Sequence, residues 1–206
     1  MIIIIDHGSG NLFAIGNILK NLKVEFKISN KIEDILKSDK FILPGVGSFD
    51  TTMNNLANLN IIEALSNEIL VNKKHILGIC VGMQILSNKS EEGNLKGLGW
   101  IPGEVKKIDK NKLKVLDLYL PHMGWNSLNS DRNDHPLLEN INLSKGFYFL
   151  HNFFYSPKSI ENIIAVANYG YDFCSIISSG NIHGVQFHPE KSHENGIQLL
   201  ENFTKI

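Results

Sequence analysis

Arginine is nearly missing from this chain: Arg132 is the only one in 206 residues, and every other basic side chain is a lysine. With a formal net charge of -1 there is no basic face and no set of guanidinium forks, which argues against nucleic-acid binding. Cysteine is as scarce. Cys80 and Cys174 are the only two, too few for a disulfide framework, so a reducing compartment is expected. No Cys-x-x-Cys pair follows a His-x-Glu, as a zinc deaminase requires. His188, Glu190 and His193 also miss the helical two-histidine spacing of zinc hydrolases, so no metal is expected. Apolar runs stay far below the ~20 residues that cross a bilayer. Met1–Asp6 is too short and too soon charged for a signal segment. The expectation is a cytoplasmic protein that engages neither membrane nor nucleic acid. Linkers, repeats and low-complexity stretches are absent too, so residues 1–206 are expected to form one domain, and 43% hydrophobic residues can fill its core.

The first half alternates strand and helix signals. Ile2–Ile5 is a continuous apolar run, as in a strand buried on both faces. Gly8-Ser-Gly10 turns the chain, and Asn11 is placed to cap a helix carrying Leu12, Ile15, Ile18, Leu19 and Leu22. Val24–Ile28 reads as a strand, Ile32–Leu36 as a short helix and Lys40–Leu43 as a third strand. One longer helix is expected over Asn55–Val71, with Leu56, Leu59, Ile62, Leu65 and Leu70 inward, and then a strand over His75–Ile79. This order predicts an α/β fold, a mostly parallel central sheet flanked by helices, with its site at the carboxyl ends of the strands. Beyond Ser87 the chain turns β-rich. Gly103–Ile108, Leu113–Leu120, Gly146–Leu150, Ile163–Ala167, Cys174–Ile177 and Ile182–Phe187 read as strands. A last amphipathic helix starts at Ser192, with Ile197, Leu199, Leu200 and Phe203 facing inward.

The chemistry concentrates in two segments. His75-Ile-Leu-Gly-Ile-Cys-Val-Gly-Met-Gln-Ile-Leu86 has the form strand, Gly-x-Cys-x-Gly, helix. That is a nucleophile elbow: the strand delivers Cys80 into a sharp turn, the glycines make room, and the helix dipole favours the thiolate. Alone, the pattern fits a small core cysteine equally well. Gly184-Val-Gln-Phe-His-Pro-Glu190 adds a histidine and a carboxylate two residues apart, completing a Cys80, His188, Glu190 triad. Residues i and i+2 of extended chain project to one side, so Glu190 can reach the His188 ring. Pro44-Gly-Val-Gly47 fits either a tight exit turn or an oxyanion hole, with backbone N–H groups of Gly47 and Val81 as donors. Pro121-His-Met-Gly-Trp-Asn126 fits either a buried tryptophan or an interface anchor. Gly8-Ser-Gly-Asn-Leu-Phe13 resembles a dinucleotide loop, but Phe13 stands where the third glycine belongs, so no nucleotide cofactor is expected.

Over essentially its whole length the chain resembles the class I, triad-type glutamine amidotransferases, which have a flavodoxin-like sheet. It is most similar to the glutaminase subunits of imidazole glycerol phosphate synthases. Gly78–Gln84 and Gly184–Glu190 match the nucleophile and acid–base segments; Asp6-His-Gly-Ser-Gly-Asn11, Leu43–Gly47 and Pro121–Asn126 match the subfamily. The resemblance implies that Gln84, Glu92 and the chain at His151, Asn152 and Phe153 hold the substrate glutamine. It implies that Asn11, Trp125 and Tyr148 face a (β/α)8-barrel cyclase that consumes the ammonia, for histidine biosynthesis, with no cofactor. Hydrolysis without that partner wastes glutamine, so weak activity in isolation is expected, with gating through a mobile Pro44–Gly47. His7 stands where the family has tyrosine, and Asn152-Phe153 replaces a Ser/Thr-Tyr pair. The Gly97-Leu-Gly-Trp100 run also fits related glutaminases that feed sugar-aminating barrel enzymes. A third reading, a catalytically silent scaffold for a barrel enzyme, is disfavoured by the intact triad.

Overall fold

Four consecutive isoleucines form β1 (Ile2–Ile5), and all four are buried, because helices cover both faces of the sheet they enter. The computed structural model describes residues 1–206. After β1 come α1 (Leu12–Asn21), β2 (Phe26–Ser29), α2 (Ile32–Lys37), β3 (Lys40–Gly45), α3 (Phe49–Asn58), α4 (Ile62–Ser66), β4 (His75–Cys80) and α5 (Val81–Gln84). The second half adds β5 (Lys89–Ser90), β6 (Gly103–Lys107), α6 (Lys110–Val115), β7 (His122–Asn126), β8 (Phe147–His151), β9 (Phe153–Pro157), β10 (Ile163–Asn168), β11 (Asp172–Ser179), β12 (Ile182–Val185) and α7 (His193–Lys205).

Seven strands build the main sheet in the order β10-β11-β12-β4-β3-β1-β2. From β2 to β12 all neighbours are parallel, while β11 and β10 pair antiparallel at the far edge. The 2-1-3-4 start is flavodoxin-like, and its order reverses beside β1, which opens a crevice at the carboxyl ends. β4 lies at the centre, between β3 and β12, and these three strands carry the segments expected to hold the site. A three-stranded sheet (β5-β6-β9) and a β7-β8 hairpin complete the β-rich half. One apolar cluster of 46 buried residues runs from Ile2 to Phe203, so both halves share a core. No helix is long and apolar enough to cross a membrane.

The structure corrects several expectations. The helix expected over Asn55–Val71 starts earlier, at Phe49, where Ser48 accepts a hydrogen bond from the Thr51 N–H. It breaks at Asn60, whose φ of 55° ends α3 in the left-handed region that asparagine tolerates. The chain then resumes as α4 and a π turn over Asn67–Val71, and Ile69 rather than Leu70 enters the core. Leu113–Leu120 is not a strand. Asp109 accepts from the Asn111 N–H and starts α6, which buries only Leu113 and leaves Val115 and Leu116 exposed. The alternation of apolar residues there has no sheet partner. Ile197 is exposed, whereas Leu199, Leu200 and Phe203 are buried. Asn11 makes no capping bond to α1, because its side chain is engaged elsewhere.

Candidate active site

At the end of β4 the backbone of Cys80 takes φ 55° and ψ −113°, a conformation that costs a non-glycine residue ~1–3 kcal/mol. The flanking glycines are steric necessities. A Cβ on Gly78 would lie 2.6 Å from the Gly82 carbonyl oxygen, and one on Gly82 would lie 1.8 Å from that of Leu43. The elbow is therefore held against β3 as well as against itself. Its helix, α5, is a single turn and shorter than expected, so its dipole contributes less than a full helix would. Cys174, the other thiol, is buried in β11; burial pushes its thiol far above the ordinary range, and it is no nucleophile.

β12 carries the chain to His188 directly beside β4. The His188 Nδ1–H donates to Glu190 Oε1 at 2.9 Å, and both side chains are almost fully buried. Burial alone would depress the imidazole. Hydrogen bonds to Cys80 and Glu190, with the charges of both, outweigh it and raise His188 to about 10. For Glu190, burial pushes up, but the bond and charge of His188 and a bond from Asn11 prevail and hold the carboxyl below its ordinary value. The Asn11 amide donates to Glu190 Oε1 at 2.6 Å, so this residue braces the carboxylate from the start of α1. Ser192 fixes the backbone on the other side, donating to the His188 carbonyl at 2.6 Å and accepting from the Tyr148 N–H at 3.0 Å.

Cys80 and His188 open into a cavity of about 170 Å³. One wall is Val46, Gly47 and Val81; another is Gln84 and Glu92; the third is Leu150 through Phe153. All seven residues expected to bind glutamine or its oxyanion thus share one cavity with the cysteine. Two of them have structural work besides. Glu92 accepts from the Phe49 N–H at 2.8 Å and so caps α3. Gln84 Nε2 donates both hydrogens, to the Phe153 carbonyl and to Gln186 Oε1, each at 3.0 Å, which leaves only its oxygen for a ligand.

The histidine tautomers follow from the carbonyl that ends the row. Phe153 O can only accept, so His151 Nδ1 carries the proton and donates at 2.8 Å. His151 Nε2 is then an acceptor for His122 Nδ1–H at 2.9 Å, and His122 Nε2 for the Asn126 amide at 3.2 Å. Burial drives both rings down, His122 to about 4 and His151 to about 3, so both are neutral at physiological pH. This row ties β7 to the turn that lines the cavity.

Behind Gly47, whose φ is 101°, the Pro44–Gly47 segment is tethered rather than loose. The Val46 N–H donates to Ser9 Oγ at 3.1 Å, and the Ser9 hydroxyl donates to the Val46 carbonyl. His7 Nε2–H donates to the Pro44 carbonyl at 2.6 Å, which accounts for a hydrogen-bonding ring at the position of the family's tyrosine. Beside the cavity, Trp125 pairs with Tyr148, and Met123 with Leu150, in the β7-β8 hairpin. This face is open: Trp125 is 49% exposed and Met123 65%, with the indole stacked on the His193 ring. Trp125 is therefore not core. Phe13, close to Asn11 at the start of α1, is also exposed.

Sequence reasoning passes over Gln186, whose amide lies 3.8 Å from the Cys80 sulfur. A signal is there: Gln186 and His188 are i and i+2 in extended chain, so both face the site. The family model for class-I glutamine amidotransferases matches residues 3–206. The imidazole glycerol phosphate synthase subunit HisH of Leptospira borgpetersenii is 45% identical over 206 residues, covering 100% of both chains. The subunit HisH 2 of Pseudomonas aeruginosa is 39% identical over 206 residues, again with 100% of both chains covered. Among solved structures, PurLQS from Thermotoga maritima superposes with a TM-score of 0.72 at 19% identity, covering 99% of this chain and 97% of that one; this likeness speaks for the fold. A cysteine elbow facing a histidine–carboxylate pair on this sheet, matched end to end by such relatives, makes the chain a member of the class-I glutamine amidotransferases, within the HisH subunits of imidazole glycerol phosphate synthase.

Proposed function

We propose that residues 1–206 form one glutamine amidotransferase domain that hydrolyses glutamine and passes the ammonia to a (β/α)8-barrel cyclase in histidine biosynthesis. The observation that carries this reading is the row Cys80, His188, Glu190 and half-buried Asn11, whose first two members open into a cavity of about 170 Å³. With His188 raised to about 10, its ring enters the reaction as the imidazolium. The Cys80 thiolate adds to the side-chain carboxamide carbon of glutamine, and N–H groups of Gly47 and Val81 receive the oxyanion. One such donor is typically worth ~2.7–4 kcal/mol. The imidazolium gives its proton to the leaving nitrogen, so ammonia departs and a thioester remains. Neutral His188 then takes a proton from water as the oxygen attacks; glutamate leaves and the thiolate–imidazolium pair is restored. Glu190 holds the tautomer and the cationic ring, and Asn11 holds Glu190. Gln84 Oε1, Glu92 and the chain at His151–Phe153 orient the substrate.

The stripe of exposed Met123, Trp125 and Leu150 with half-buried Tyr148 continues from the cavity rim, and we assign it, with the α1 end near Asn11, to the cyclase interface. The Ser9 and His7 tethers give that partner something to act on: releasing Val46 from Ser9 frees the segment that must aim Gly47 at the oxyanion. We place the protein in the cytoplasm, with both thiols free. A second reading, a glutaminase feeding a sugar-aminating barrel enzyme, has one observation behind it, the Gly97-Leu-Gly-Trp100 run. Purification with a candidate cyclase, followed by glutamine-dependent formation of imidazole glycerol phosphate and the carboxamide ribotide by-product, tests the assignment. Stable association with a sugar-aminating enzyme instead would move the chain to the second pathway.

A further inference from the structure

We infer that Gln186 is part of the reaction centre: its side-chain amide donates an N–H to the Cys80 sulfur, and Gln84 sets which end of that amide faces the sulfur. The inference rests on the glutaminase reading above and adds a group to its machinery. Gln186 is completely buried, and its Nε2 lies 3.8 Å from Cys80 Sγ. The orientation of an amide is normally ambiguous, but here the neighbours determine it. The Phe153 carbonyl can only accept, so the Gln84 atom 3.0 Å from it is nitrogen. That NH2 lies equally close to Gln186 and donates its second hydrogen there, so Gln186 must present oxygen to Gln84. Its nitrogen is then left facing the sulfur. The anchor is itself braced, since Phe153 O also receives the His151 N–H.

A thiolate in a dry site needs donors, and His188 supplies only one. An N–H aimed at sulfur from the β12 side favours the anion and restrains the sulfur's position against the strained elbow. Gln186 is not part of the cavity wall, which begins at Val46, Cys80 and Gln84. It therefore acts on the nucleophile and not on glutamine. Glutamate at this position would turn an oxygen toward the thiolate, and an apolar side chain would strand a Gln84 hydrogen.

The test uses the full chain and its cyclase complex, with Gln186→Met removing the donor and Gln186→Asn withdrawing it by one methylene. Cys80 alkylation by iodoacetamide is followed by peptide mass spectrometry as a function of pH, and kcat and KM for glutamine are measured on the complex. We expect the alkylation midpoint to rise by about one pH unit and kcat to fall about tenfold in the Met variant, with KM within about twofold of wild type. The Asn variant moves in the same direction and decides the matter if the Met variant does not fold. Wild-type alkylation profiles and wild-type kcat in the folded variants would overturn the proposal, as would a loss confined to KM. Failure of the glutaminase reading looks different: the wild-type complex would not turn over glutamine, or Cys174 would be labelled in place of Cys80.

Discussion

Asn11 tests how the triad is supported, because the resemblance gives it to the partner surface while the structure turns its amide onto Glu190. The bond is 2.6 Å long and falls on the same oxygen, Oε1, that receives His188. Glu190 Oε2 is buried without a partner, so if Asn11 is lost His188 is the one side-chain donor left to the carboxylate. A hydrogen bond to a charged group contributes ~1.5–3 kcal/mol net, or roughly one to two pH units on the carboxyl it serves. The folded-state value of Glu190 is depressed. Its contribution is thus present above the ordinary carboxylate range and lost as pH falls through the depressed value. Asn11→Ala raises that value, so both activity and stability fail at higher pH than in wild type. We expect glutamate production by the saturated complex to drop about tenfold at neutral pH, with the acid limb of kcat displaced upward by about one unit. Association with the cyclase, measured by titration, stays close to wild type. An unmoved acid limb together with weakened association would return Asn11 to the interface and refute the bracing role.

Other consequences are simpler to read. Gly82→Ala puts a Cβ 1.8 Å from the Leu43 oxygen and must push β3 off β4; a loss of at least ~3 kcal/mol in stability is expected, and a wild-type melting temperature would show that the elbow relaxes freely. Trp125→Ala should weaken cyclase binding by ~2 kcal/mol or more. Because the indole is half exposed, it should cost the free protein far less than the ~3–5 kcal/mol of a core tryptophan. The reverse pattern, a large melting shift with unchanged affinity, would make the residue structural.

Much of this site is legible in the chain because its constraints are local. Gly78, Cys80 and Gly82 announce an elbow by spacing, and His188 and Glu190 announce their pairing by the two-residue period of extended chain. The long-range partners are not legible. That Asn11 reaches Glu190 depends on β1 and β12 lying in one sheet with β3 and β4 between them, which no local pattern encodes. Gln186 is visible by period but carries no reactive group, and its role comes from Gln84 and Phe153, which arrive from elsewhere. The fold misreadings have the same origin. Leu116, Leu118 and Leu120 recur at the two-residue spacing of a strand, yet the Asp109 cap and the lack of a sheet edge make the segment a helix and turns. β9, over Phe153–Pro157, escapes the pattern because it ends in proline and its ladder to β6 is set by tertiary pairing.

The central claim is that Cys80 alone carries out covalent chemistry on glutamine and that its product ammonia is consumed by the partner. Cys80→Ala in the purified complex tests both halves in one pair of assays. The account predicts no detectable glutamate from glutamine, and cyclase product formation that persists when ammonium salts replace glutamine. Glutaminase activity surviving in the alanine variant, or thiol-directed glutamine analogues labelling Cys174, would contradict it.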